Sequence, residues 1–369
     1  MPQPPAAKRV SWLRAALSLS FTLLFGLGGI LTAPGPSPAA PPGPEPSGDI
    51  LLYAYSGIFQ DNYTKAVVEP FLRKYPRVHI KYEAPGNSAQ MLARLRAQKN
   101  DPQADVVIMD VSIARQGNTE GVFAPLDRAA VPNLADLYSD ALVPSNFGPS
   151  VTFDHFVIIY NTDLVKPAPA SWADLWNPSY KGRLIVTAPP DIQGLVLTIL
   201  VDRMQGADYR QTIDPAIARL KTLAPLVQTW NPSPDQYTLV INGEGAVAVG
   251  WNARSQLYAD QSKGKLGVVL PKEGSVFQKN TINLVKGARN PSAAQAFINY
   301  ALGAEAQKTF TETMFYAPVN KKAIVSASAL GRTASAPQTI RKMVPVDWGY
   351  VSQVRDQWLE RWQREVMTR

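Results

Sequence analysis

Apolar and polar positions along this 369-residue chain fall in short blocks whose period switches between two and about four residues. Asp49–Tyr55 (DILLYAY) reads as an apolar strand ended by Ser56 and Gly57. From about Asp61 to Lys74, Ala66, Val67, Phe71 and Leu72 share one helical face. Arg77–Glu83 (RVHIKYE) alternates as a strand, and Asn87–Lys99 reads as a capped helix with Met91, Leu92 and Leu95 inward. Ala104–Met109 (ADVVIM) is an apolar strand. Strand, helix, strand, helix, strand in this order predicts an α/β unit with a largely parallel sheet.

A second region follows. Ser150–Tyr160 alternates and then turns apolar, a candidate crossing strand between lobes. Val157–Leu164 leads into Pro167–Thr187 (PAPASWADLWNPSYKGRLIVT), read as strand, turn, short helix, turn, strand, with Leu184–Val186 as the last strand. Gly194–Met204 is apolar with helical spacing, and Ile213–Leu226 is a helix with Ile217, Leu220 and Leu223 inward. Ala246–Trp251 and Leu266–Leu270 read as strands, Val276–Thr281 as a loop, and Ile282–Val285 as a return crossing. Pro291–Leu302 and Glu305–Thr313 are helices. Trp348–Met367 is an amphipathic helix whose Val351, Val354, Trp358, Trp362 and Val366 read as a packing stripe. No internal repeat is visible.

The N-terminus changes the setting. Lys8, Arg9 and Arg14 precede the apolar run Ala15–Thr32, the pattern of a secretory signal. The run approaches a bilayer-spanning length. Pro34 and Pro41 directly follow the small residues where cleavage would fall. Residues 1–33 are therefore expected to be a signal peptide or an uncleaved membrane anchor, and 34–48 a stiff Pro/Ala-rich linker. Either reading exports residues 49–369, a periplasmic location with the option of a membrane tether.

Composition narrows the chemistry. At 46% hydrophobic, the chain can build a sizeable core in about two domains. The absence of cysteine excludes disulfides, thiol nucleophiles and a thiol-linked lipid anchor. Lys8, Arg9, Arg14 and Glu45 contribute +2 of the formal +8, and the remaining +6 is scattered rather than striped with aromatics. No nucleic-acid partner is expected. The two histidines, His79 and His155, read as satisfied strand residues, and Asp154 should face away from His155. No GxSxG, HExxH or P-loop occurs, and Gly243-Glu244-Gly245 is a turn. Asp110 and Asp191 are the only carboxylate pair to weigh for hydrolysis. No enzyme activity, cofactor or metal is expected.

Seven segments together resemble one family. They are GNSAQMLARLRAQKNDPQADVVIMD, GVFAPLD with VPNLADLYSDAL, YNTDL, SWADLWNPSYKGRL, NGEGAVAVGWN, VVLPKEGSVF and FYAPVN, spanning about Gly86 to Asn320. In order and spacing they resemble the polyamine (spermidine/putrescine)-type periplasmic solute-binding proteins of bacterial ABC importers. The resemblance implies a type II periplasmic-binding-protein fold: two α/β lobes, two crossing strands as hinge, and a ligand cleft between them. Lobe 1 is then 49–152 with about 276–322, and lobe 2 about 153–275 with 323–369. It further implies a monomer that closes on a small solute and docks on an ABC permease in the cytoplasmic membrane. A membrane-anchored receptor, or a two-lobed enzyme on the same fold, stands as the alternative.

Ligands in open α/β sheets sit outside the carboxyl ends of strands. Those ends carry Tyr55, Ser56, Asp110, Ser112 and Trp251, and loops add Asp191, Gln193, Ser233, Asn280, Thr281 and Tyr316. Trp251, Ser233 and Tyr316 fall at the family's cleft positions, and Tyr55 and Ser56 where it places an aromatic and a hydroxyl. The family's carboxylates are not kept: only Asp191 lies near Pro190–Gln193, and Gln278 and Asn280 replace a Trp and an Asp around Lys279. A buried ammonium without a counter-charge costs several kcal/mol. Weak spermidine binding is expected, and a monoamine, an amino-acid derivative or a polyol fits better. Arg254 and Lys279 are candidate contributors to an anion site. The DPQADVV segment is also similar to ferric-iron and phosphonate branches, but no adjacent tyrosine pair exists to hold iron.

Overall fold

The computed structural model describes residues 45–368. The expected signal or anchor, and residues 34–44 of the linker, lie outside the described residues. Among those described, no helix is long and apolar enough to cross a membrane.

Strand β1 (Gly48–Tyr53) leads into α1 (Ile58–Tyr63) and α2 (Glu69–Lys74), one helical run with a π turn at Thr64–Val68 between them. Then come β2 (Val78–Glu83), α3 (Ser88–Ala97), β3 (Val106–Asp110) and α4 (Val111–Thr119). β1 pairs in parallel with β2 on one side and β3 on the other. The period-2 alternation divides the strands between two layers. Ile50, Leu52, Val106 and Ile108 pack on Phe59, Phe71 and Phe297, while Tyr53, Val107 and Met109 pack on Met91, Leu92 and Leu95.

After the short β4 (Phe123–Ala124) comes β5 (Ser150–Asn161), buried at every position but Tyr160. Its first half pairs with a later strand, β10, and its second half with β8 and β9, all antiparallel. One strand thus belongs to both lobes, which is why it reads apolar on both faces. Between the crossings run β6 (Leu184–Ile185), α5 (Ile192–Met204), α6 (Asp214–Lys221) and β7 (Val227–Thr229). They continue as α7 (Gln236–Ile241), β8 (Val247–Trp251), α8 (Asn252–Gln261) and β9 (Leu266–Val269). Alternation again sorts β5: Phe156 and Ile158 join Trp172 and Val249, and Val157 and Ile159 join Tyr237 and Ala248.

The return crossing is β10 (Ser275–Val285), followed by α9 (Pro291–Ala301), α10 (Ala304–Met314), α11 (Ala327–Leu330), α12 (Pro337–Ile340), β11 (Met343–Val344) and α13 (Trp348–Arg361). The sheet runs β2-β1-β3-β10-β5-β8-β6-β7, with β4 and β11 on β10 and β9 on β5. β10 corrects the sequence reading, since Val276–Thr281 is strand rather than loop. Gln278 and Asn280 misled the pattern because they face a cavity instead of a core, with Lys279 on the opposite face. The helix expected over Ile213–Leu226 ends at Lys221, where Thr222 and a turn at Ala224–Leu226 lead into β7.

The SWADLW segment is a short 3-10 turn, Trp172–Trp176, capped by Ser171. The Ser171 hydroxyl and the Trp172 amide both donate to Glu273, and the Trp172 indole donates to Gly274 O at 2.8 Å. The segment therefore anchors the turn that launches β10. The C-terminal tryptophan stripe packs inward as expected. Trp348, Trp358 and Trp362 share a cluster with Val196, Ile217 and Val249, and that cluster also takes in Val111 of α4.

Candidate functional site

Five helix N-termini face one cavity of about 310 Å³, each just after a strand or a tight turn. Their capping residues, Asn87 (α3), Asp110 (α4), Asp191 (α5), Asp235 (α7) and Trp251 (α8), all line it. Four of them, Asn87, Asp110, Asp191 and Asp235, are short polar residues that cap their helices because their oxygens accept otherwise orphaned amides, whereas Trp251 makes no side-chain cap. Asp110 accepts from the Ser112 and Ile113 amides at 3.0 and 3.1 Å, Asp191 from Gln193 at 2.9 Å, and Asp235 from Thr238 at 2.7 Å. Asp110 and Asp191 thus each commit one oxygen to their own helix, and Asp235 both, its second accepting from the Thr238 and Tyr258 hydroxyls at 3.3 Å.

The floor is a hydrogen-bonded network. The Tyr55 hydroxyl donates to Asn280 Oδ1 at 2.9 Å and accepts from Ser88 Oγ at 3.0 Å, while Ser88 accepts from the Asp110 amide. Gln278 Nε2 donates to the same Asn280 oxygen at 2.7 Å, and Asn280 Nδ2 donates to Thr152. Burial, with the nearby Asp110 charge, pushes the Tyr55 pKa well up, so the phenol stays protonated. Two buried cavity atoms, Gln278 Oε1 and Thr187 Oγ1, have no partner among the described residues. Burial first, then the Asp110 charge, raises the Asp191 pKa above its ordinary value, opposed by the hydrogen bonds from Gln193 and by the Arg254 charge.

The walls are aromatic. Tyr237 accepts from the Trp251 amide at 2.9 Å and so fixes the end of β8. Gly250 leaves room for that ring, since a Cβ there would lie 2.9 Å from it. Arg254, one turn into α8, lines the same cavity and lies 5.8 Å from the Tyr55 ring centroid. It makes no salt bridge among the described residues.

The cavity gathers Tyr55, Ser56, Asp110, Asp191, Gln193, Trp251, Asn280 and Tyr316 from the sequence-derived set. Ser112, Ser233 and Thr281 are not part of its lining. Ser112 is buried and donates back to Asp110, Ser233 is exposed between two prolines that do line the site, and Thr281 lies in the sheet and donates to Met109 O at 3.3 Å. Lys279 is also absent. It alternates to the other face of β10 and donates to Asp140 O at 2.6 Å, whereas Arg254 is in place. Sequence reasoning missed Asn87, Ser88, Asp235, Gln236 and Tyr237. The available signal was the capping pattern NSAQ and PDQYT, combined with the rule that strand carboxyl ends face ligand.

Neither histidine is used. His79 is exposed, 3.3 Å from Asp49. His155 is buried, so its pKa falls to about 3, and its Nδ1 has no partner among the described residues, contrary to the satisfied reading. Its neighbour Asp154 is fully buried, and burial raises its pKa to about 8, partly opposed by hydrogen bonds from the His155 and Ala253 amides. The sign follows. A raised folded pKa stabilises fully below the unfolded value of about 4, and the contribution is lost as pH rises through about 8. In thermal melts of wild type and D154N, the melting temperature of the variant relative to wild type should therefore climb from pH 5 to 8 and level off above. Asp202, raised to about 6 by burial, titrates in both proteins and cancels. A flat difference would mean that Asp154 ionises normally.

Comparison with known proteins agrees with this geometry. The sequence profile of the bacterial extracellular solute-binding protein family matches residues 66–333. The spermidine/putrescine-binding periplasmic protein of Escherichia coli K12 is 28% identical over 269 residues, 70% of this chain and 76% of that protein. The gamma-aminobutyric acid-binding protein of Pseudomonas aeruginosa is 27% identical over 317 residues, 81% of this chain and 82% of its own length. An ABC transporter structure from Clostridium perfringens superimposes with a TM-score of 0.67 at 28% identity, covering 86% of this chain and 99% of that one.

Proposed function

This chain belongs to the bacterial extracellular solute-binding protein family and serves as the solute-binding component of an ABC importer, and from that premise we propose that its cargo is a small amphoteric solute of the ω-amino-acid type. One observation carries the reading: Arg254 places a permanent positive charge, unpaired by any carboxylate among the described residues, in the lining of the cavity. A guanidinium matches a carboxylate with two parallel hydrogen bonds. The same charge repels a polyamine. Asp191, Asp110 and the unpartnered Gln278 Oε1 supply acceptors for an amine, and Trp251 and Tyr55 supply faces for methylenes or an ammonium. A cavity of about 310 Å³ suits a small solute. The relative named for gamma-aminobutyric acid supports this reading more than those named for spermidine and putrescine.

Titration calorimetry of the purified protein with 4-aminobutyrate and with spermidine tests it. The expected result is 4-aminobutyrate binding near or below micromolar, which corresponds to about 8 kcal/mol, with spermidine at least about a hundredfold weaker. Submicromolar spermidine binding without 4-aminobutyrate binding would overturn the reading.

We propose in the same way how the chain is organised and how it acts. Lobe 1 comprises 49–152 and about 276–322, and lobe 2 about 153–275 with 323–369. Contacts from both lobes favour the closed form by the solute's differential affinity for the two states. The protein works as a monomer in the periplasm, held by residues 1–33 if these are not cleaved, and releases its solute unchanged to the permease.

A further inference from the structure

Helix α8 begins without a capping side chain of its own. Trp251 holds the cap position and makes no side-chain hydrogen bond to the helix. The acceptor comes from elsewhere in the chain: the Ala253 amide donates to both oxygens of Asp154, at 3.1 and 3.2 Å. A cation in a first turn opposes the helix dipole, and Arg254 is such a cation. The buried Asp154 carboxyl at that terminus supplies the acceptor that the cap position lacks. Asp154 lies at the point where β5 leaves β10 for β8. It is paired in register with Gln278 of the cavity, and two residues further on Phe156 is paired with Trp251. Around it stand the His155 amide, which donates to Asp154 Oδ1 at 2.8 Å, and the Arg254 charge, and Tyr316 and Tyr237 lie close by. Arg254 acts on it electrostatically, with no ion pair between them among the described residues.

We propose that Asp154 is a positioning residue that ties the solute-anchoring end of α8, with Trp251 and Arg254, to the strand about which the lobes hinge. Asp154 makes no contact with the solute and acts through Arg254. This rests on the reading of Arg254 as the anchor for an anionic group. Because β5 is shared by both lobes, a bend in the strand carries the start of α8 with it. The guanidinium therefore stays in register with the Gln278–Asn280 floor instead of following the rest of lobe 2.

The test uses the full-length protein and the variants D154A, D154N, R254Q and D154A/R254Q, with two readouts. The first is amide hydrogen exchange without solute. In D154A, residues 252–256 should exchange about tenfold faster, as for loss of a helix cap, with β1 to β3 unchanged. D154N keeps an acceptor oxygen and should restore protection. The second is 4-aminobutyrate affinity. D154A should lose about tenfold, D154N should recover most of it, and D154A should add nothing in the R254Q background. Wild-type protection of 252–256 in D154A, or an equal loss of affinity with and without Arg254, overturns the proposal. If wild type does not bind 4-aminobutyrate, the solute reading fails and the exchange data alone decide on Asp154. Asp154→Ser, whose hydroxyl is too short to reach the Ala253 amide, replaces D154A if that variant does not fold.

Discussion

Replacing Arg254 by glutamine should weaken binding of 4-aminobutyrate by two to three orders of magnitude, the largest functional effect expected from any single change in the cavity. Truncating one member of a desolvated, hydrogen-bonded charge pair costs roughly 2–5 kcal/mol, much of it from the partner left unpaired. Under the proposed cargo, the solute carboxylate is that partner. Glutamine keeps a polar head but loses the charge and the second parallel donor. The fold should persist, because Arg254 is half-buried and makes no ion pair among the described residues. Far-UV circular dichroism and the melting temperature should stay near wild type while calorimetric affinity collapses. The sign should reverse for cations: with the repulsion gone, spermidine should bind R254Q more tightly than wild type. Undiminished 4-aminobutyrate affinity would place the anionic end of the solute elsewhere in the cavity.

Trp362→Ala should give the largest loss of stability without touching the solute. Trp362 is fully buried, and its indole donates to Thr198 Oγ1 of α5 at 2.8 Å. It also meets Trp230 edge to face, with ring centroids 5.7 Å apart. Removing a buried tryptophan costs about 3–5 kcal/mol, part transfer and part unfilled cavity. Chemical denaturation should show that loss, and the melting temperature should fall by roughly 10 °C in a chain of this length. Arg361, the last residue of α13 and next to Trp362, is a control, since it pairs with half-buried Glu365 and exposed Asp214 near the surface. Arg361→Ala should cost about 1 kcal/mol or less. Equal losses in the two variants would mean that the C-terminal helix is held by surface charge rather than by its tryptophans.

The legible parts of the fold were those where burial and local pattern agree. VVIMD and HFVIIY read as interior strands because they are covered on both faces, and NSAQ announces the cap of α3. The stretch Val276–Thr281 was not legible as strand. Its Gln278 and Asn280 face the cavity and its Lys279 the opposite side, so neither face carries the apolar signal that periodicity detects. The conflict between local pattern and actual structure fell on a strand that lines the cavity, where such conflicts are expected. The site was half legible for a related reason. Tyr55, Asp110 and Trp251 could be placed from strand ends, and Tyr316 from family resemblance. Thr281 went wrong by one residue of alternation, which turns a side chain to the other face. Asp235 and Gln236 look like ordinary turn and helix residues until five separate loops are seen to converge. The buried acceptor Asp154 has no local signature, because its partner amide lies 99 residues away in the chain.

The ring of capping residues has a consequence for how such a protein changes its cargo over evolutionary time. At a helix N-terminus, Asp, Asn and Ser are close to interchangeable in stability, yet they differ by a full charge or a hydrogen-bond donor. Asn87, Asp191 and Asp235 sit in separate loops and Asp110 at the end of β3, so each can drift among these three residues with its helix still capped and the backbone of the sheet untouched. Every such step rewrites the electrostatic map seen by the solute. Selection can therefore explore cargo preference along a nearly neutral path, one helix end at a time, without first passing through a misfolded ancestor.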